Sequence, residues 1–125
     1  MAENEEIQEY YELSQQYLES SKSSLESDLI EPAMFNAIHA LELALKAALL
    51  EKTGEDFKTH NVGGIFGKHF KNQVGHQKCK RVNKILMRYN FPRYPDQPSH
   101  TKEEVIDDIE FISKLIKEDI NEILK

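Results

Sequence analysis

Between Ala33 and Gly54 the chain reads AMFNAIHALELALKAALLEKTG, apolar on almost every side of a helical period. A helix of that character cannot stand in water, so the stretch predicts a central, most buried helix wrapped by others. Glu31-Pro32 reads as the break before it, because proline cannot continue a hydrogen-bond ladder but suits a first turn. Gly54 reads as its stop. The wrapping elements follow from the same spacing of 3s and 4s. Ile7, Tyr10, Tyr11, Tyr17, Leu18, Leu25 and Leu29 predict a long first helix. Val62, Ile65, Phe66 and Phe70 predict a short helix capped by Thr59 or Asn61. Val82, Ile85, Leu86 and Tyr89 predict a helix over 76–89 with its lysines outward. Val105, Ile109, Ile112, Ile116, Ile120 and Ile123 predict a last helix, opened by the capping box Thr101-x-x-Glu104. No segment alternates with period two. The expected fold is all-α: an antiparallel up-and-down helical bundle of four main helices plus a short extra helix, one domain over residues 1–125.

Composition narrows the setting. No unbroken apolar run approaches the 18 or more residues of a membrane span, so no membrane partner is expected. The acidic start MAENEEIQEYYE reads as neither a secretory signal nor a transit peptide, so no such leader is expected. A single cysteine, Cys79, fits a reducing compartment, and a cytoplasmic location is expected.

Charge is segregated along the chain. From Phe57 to Pro95 there is no Asp or Glu, while nine Lys and Arg residues give the window +9 and leave −15 elsewhere. A polyanion would feel that local surface rather than the mean charge of −6. Within the window Lys78, Lys80, Arg81, Lys84 and Arg88 are the candidate binding residues. The competing reading is a solvated face that pairs with acidic neighbouring helices.

Other clusters carry less. Asn36, His39, Glu42 and Lys46 form one polar stripe on the central helix, either a solvent strip with a Glu42–Lys46 pair or supporting groups lining a cleft. GGIFGKH superficially resembles a phosphate loop, but its glycines are too close, no Ser or Thr follows Lys68 and no strand precedes it. His60, His69, His76 and Cys79 complete no recognised ligand pattern, so no metal and no cofactor is expected. Cys79 reads as an ordinary cysteine and His60 as a capping or packing histidine.

The loop FPRYPDQPSH brings Arg93 and His100 together with Tyr94 and Asp96. Metal-free RNA cleavage needs such a pair. Histidine titrates near neutrality and moves a proton at the 2′-hydroxyl or the 5′-oxygen. Arginine's fork holds the charge gathering on the phosphoryl oxygens. His100 also precedes the expected N-cap, where free helix N–H groups can meet phosphate. The alternative is that Arg93 pairs with a carboxylate and His100 is merely exposed.

The second-helix pattern HALELALKAALLEKTG, the following THNVGGIF and the RYPD loop, in that order and spacing, resemble the HEPN domain family over residues 5–124. Its ribonuclease branch is marked by an arginine, four to six residues and a histidine; Arg93 and His100 have six between them. The resemblance implies that these two form a cleavage site at a homodimer interface, with RNA or nucleotide as ligand. It also implies a toxin whose antitoxin is a minimal nucleotidyltransferase. Tyr94 stands where active members carry Asn, Asp or His, and Lys102 where one branch carries a nucleotidylated tyrosine. A non-catalytic nucleotide-binding, RNA-binding or protein-interaction module is therefore the second reading. The tyrosines Tyr10, Tyr11 and Tyr17 are compatible with dimerisation.

Overall fold

The computed structural model describes the backbone of residues 2–59, 61–89 and 101–125, with side chains for 5–59, 61–88 and 101–125. Its elements are α1 (Ala2–Glu26), α2 (Ile30–Thr53), α3 (Val62–Phe70), α4 (His76–Tyr89) and α5 (Lys102–Lys114). A π-helical stretch, Leu115–Ile120, and the short α6 (Asn121–Ile123) continue α5 to the end of the chain. The fold is all-α, with no strand among the described residues.

The apolar second segment lies at the centre, as its composition demands. Leu41, Leu45, Leu49 and Ala37, Ala40, Ala44, Ala47 and Ala48 are fully buried. Counted over a window rather than as an unbroken run, α2 is long and apolar enough to cross a membrane, but 67% of that window is buried within the bundle. Its alanines let α1 approach closely. The buried Ser14 hydroxyl donates to the Ala40 carbonyl at 2.9 Å, and the buried Ser21 hydroxyl to the Ala33 carbonyl at 2.7 Å. Each serine thus satisfies its polar group on a backbone oxygen, which removes the cost of burying it. The pairs 14 with 40 and 21 with 33 run in opposite senses, so α1 and α2 are antiparallel.

The break between these helices lies earlier than the expected Glu31-Pro32. α1 ends at Glu26, and Asp28 turns the chain with a left-handed φ of 62°. Pro32 sits inside the first turn of α2, where its missing N–H has no role, and the Ala33 N–H already bonds to the Leu29 carbonyl at 3.0 Å. At the other end Gly54 closes α2 in the left-handed conformation, its N–H on the Leu50 carbonyl.

α3 contains the GGIFGKH glycines, of which Gly63 serves packing. A Cβ on Gly63 would meet Leu86 Cδ1 at 2.8 Å and the Asn83 Cα at 3.4 Å, so α3 and α4 lie backbone against side chain there. Phe66 and Phe70 stack in the core at 4.8 Å between ring centres. Asn61 holds the N-cap position without a side-chain cap; its own N–H bonds to the Thr59 hydroxyl oxygen at 3.1 Å. Thr101 caps α5 as expected, accepting from the Glu104 N–H at 3.1 Å. Its hydroxyl donates to Glu104 Oε1, also at 3.1 Å, so the box closes between the two side chains.

The last helix is not a uniform α-helix. Its wider π turn carries Leu115, Ile116 and Ile120, all buried, against the core. Tyr11 reaches this turn from α1, donating to the Ile116 carbonyl at 3.2 Å. With Asp28 bonded to Lys102 at one end and Tyr11 to Ile116 at the other, α1 and the last helix are antiparallel.

Candidate nucleic-acid interface

α4 is strongly two-sided. Cys79, Val82, Ile85 and Leu86 enter the core, which leaves Lys80, Arg81, Lys84 and Arg88 on its outer faces. α5 lies antiparallel beside it and turns Glu104, Asp107 and Asp108 toward those cations. The two helices enclose a surface groove of about 550 Å³ lined by Gln77, Ile85 and these seven charged residues.

The cations fall into two kinds. Arg81 and Arg88, two helical turns apart, converge on one carboxylate. Arg81 Nη2 is 3.3 Å from Asp108 Oδ1, and Arg88 Nη1 is 3.2 Å from Asp108 Oδ2. Asp108 is buried, its side chain 7% exposed, so both oxygens need these partners. Arg81 Nη2 also reaches Asp107 Oδ2 at 2.7 Å, and its guanidinium lies 4.4 Å over the Phe111 ring. Arg88 approaches Glu104 at 3.9 Å. At the far end Lys78 binds Asp119 at 3.1 Å. Lys80 and Lys84, four residues apart on the groove wall, are exposed and make no hydrogen bond or ion pair among the described residues.

The reading of a face that pairs with an acidic neighbouring helix therefore holds for part of the basic window. Lys78, Arg81 and Arg88 pair with the acidic last helix, while Lys80 and Lys84 face solvent in the groove. Sequence reasoning missed Asp107, Asp108 and Phe111, and gave Glu104 only its capping role. A signal existed, since Glu104 and Asp108 are four apart and share the helix face opposite Arg81 and Arg88.

Arg93, Tyr94, Asp96 and His100 lie outside the described residues, as does His60. The segment that holds the first four joins the end of α4 to the N-cap of α5, the two helices that wall the groove.

The polar stripe of α2 belongs elsewhere. Asn36 donates to Ser20 Oγ at 3.4 Å, and His39 stacks on Tyr17 at 5.2 Å and meets the edge of Phe35 at 4.9 Å. These contacts turn the stripe toward α1, and no hydrogen bond or ion pair among the described residues links Asn36, His39, Glu42 or Lys46 to the α4–α5 groove. The expected Glu42–Lys46 ion pair is not formed among the described residues; Lys46 and Glu42 are half-buried.

The tyrosines of α1 are engaged within the bundle. Tyr10 donates to Asp56 Oδ2 at 2.7 Å, and this bond, then burial and the charges of Asp56 and Glu6, push its pKa up to about 12. Tyr11 and Tyr17 pack against the core. Burial, followed by the nearby Asp119 charge, also raises the Cys79 thiol, as suits a packed rather than a reactive cysteine. No group of three or more metal-ligating side chains occurs among the described residues.

Compared with known proteins, the chain matches the HEPN domain family over residues 7–123. Comparisons with curated proteins and with solved structures gave no significant match. The family match supports a nucleotide- or RNA-binding, or ribonuclease-type, module.

Proposed function

Because the chain belongs to the HEPN domain family, we propose that it binds RNA along the α4–α5 groove and cleaves it without metal. The observation that carries the binding is the pair Lys80 and Lys84: two cations with no protein partner among the described residues, on a groove wall they share with Arg81 and Arg88. Ammonium groups without counterions release little and gain much when they meet phosphates, since bound counterions leave the nucleic acid.

In this reading His100 moves the proton at the 2′-hydroxyl or the leaving 5′-oxygen, and Arg93 stabilises the charge on the phosphoryl oxygens. Tyr94 and Asp96 contact the bound strand beside them. The site is completed in a homodimer, and the protein acts in the cytoplasm as the toxin of a pair with a minimal nucleotidyltransferase. The test is incubation of RNA in EDTA with the wild type, His100→Ala and Arg93→Ala. Cleavage by the wild type that both substitutions abolish is the expected result. Cleavage that survives His100→Ala, or none by the wild type, would sink the catalytic part.

One observation favours a second reading. Tyr94 follows Arg93 where a small polar or imidazole side chain would assist the chemistry. On that reading the same groove binds RNA or nucleotide and no bond is broken.

A further inference from the structure

The groove holds carboxylates of two kinds, and the difference assigns them different work. Asp108 is buried and gives one oxygen to each arginine. Asp107 lies only one residue away, yet its side chain is 71% exposed and it meets Arg81 from the solvent side at 2.7 Å. Glu104, 49% exposed, meets Arg88 only at 3.9 Å. Among the described residues Arg81 makes its hydrogen bonds through Nη2 alone: to Asp107 Oδ2, the Asp107 carbonyl at 3.4 Å and Asp108 Oδ1. Its Nη1 and Nε donors have no partner among the described residues.

We propose that Asp108 is a positioning residue that fixes the Arg81 and Arg88 guanidinium groups as a phosphate clamp, and that Asp107 is a displaceable stand-in for the phosphate. This rests on the proposed binding of RNA in the same groove. A guanidinium on a long side chain loses conformational freedom when it grips a phosphate, and a group already held loses less. Asp108 holds Arg81 from beneath while Phe111 supports its face, which leaves an edge of N–H donors for a phosphate oxygen. Asp107 occupies the outer position until a polyanion with more charge displaces it.

The consequence is an opposition of sign. Asp107→Asn and Asp108→Asn each remove one negative charge from the same groove. Simple electrostatics makes both tighten RNA binding. A clamp held by Asp108 makes them diverge. Asp107→Asn removes a competitor at an exposed pair and should tighten binding about two- to fivefold. Asp108→Asn releases both arginines from a buried partner and should weaken binding about tenfold or more. Arg81→Lys keeps the charge but loses the fork, and should also weaken binding about tenfold.

The probe is a fluorescein-labelled single-stranded 2′-O-methyl oligoribonucleotide, which lacks the hydroxyl nucleophile and so reports binding without cleavage. Its affinity is measured by anisotropy for the wild type and the three variants, with circular dichroism to confirm folding. Tighter binding by Asp107→Asn with weaker binding by Asp108→Asn and Arg81→Lys is the expected pattern. Tightening by both Asp→Asn variants, or wild-type affinity in Arg81→Lys, overturns the assignment. Should Asp108→Asn fail to fold, Arg81→Lys decides alone. No binding by folded wild type overturns the proposed function, and this clamp with it; binding by the wild type with the wrong pattern overturns the clamp alone.

Discussion

A Cβ on Gly63 would stand 2.8 Å from Leu86 Cδ1, so α3 and α4 meet across bare backbone at this point. The neighbouring glycine is different. The three atoms nearest to a Cβ on Gly64 all belong to the side chain of Asn61, which is exposed and can swing away.

Two adjacent substitutions should therefore have opposite effects. Gly63→Ala forces a methyl into a filled contact and should cost about 1–3 kcal/mol. Gly64→Ala removes a helix-interior glycine, worth up to about 1 kcal/mol, and should leave stability equal or higher. Denaturant midpoints of the two variants check this. A Gly63→Ala midpoint at or above the wild type would contradict the packing described.

The bond from Tyr10 to Asp56 predicts a pH dependence. The folded-state pKa of Tyr10 is raised from 10.0 to about 12, so the neutral phenol is the form the fold favours. Its contribution is fully present below pH 10, the unfolded value, and is lost as pH rises toward 12. The hydrogen bond to the charged Asp56 should be worth about 1–2 kcal/mol at a half-buried site. Denaturation of the wild type and Tyr10→Phe from pH 8 to 11.5 measures it. The gap between them should be constant to about pH 10 and close above it. A gap that widens with pH would contradict the assignment.

How far the sequence disclosed all this depends on the range of the interactions. Local signals read well. The Thr101–Glu104 cap spans three residues, and the burial of α2 follows from its own composition. The boundary at Asp28 was hidden because its left-handed turn is uncommon for aspartate, whereas Pro32 is a familiar mark of a helix start. The partners of the basic window were hidden because they lie far along the chain. Arg81 meets Asp108 across 27 residues and Lys78 meets Asp119 across 41. Charge segregation indicated that a basic face and an acidic face existed, but only the antiparallel register of α4 and α5 decides which cations are paired. Lys80 and Lys84 share the groove wall with Arg81 and Arg88, but no carboxylate among the described residues comes within ion-pair distance of them.

In the proposed RNA-binding groove, Lys80 and Lys84 meet the phosphates of the bound strand. Being exposed and without protein partners among the described residues, they can be replaced together with little effect on the fold. The direct measurement is the affinity of the 2′-O-methyl oligoribonucleotide for wild type and for Lys80→Ala/Lys84→Ala, taken from 50 to 200 mM salt. The double variant should keep its melting temperature, bind more weakly at every salt concentration, and show a log–log salt slope shallower by about 1.4. An unchanged affinity and an unchanged slope in a folded double variant would contradict the claim that this groove holds RNA.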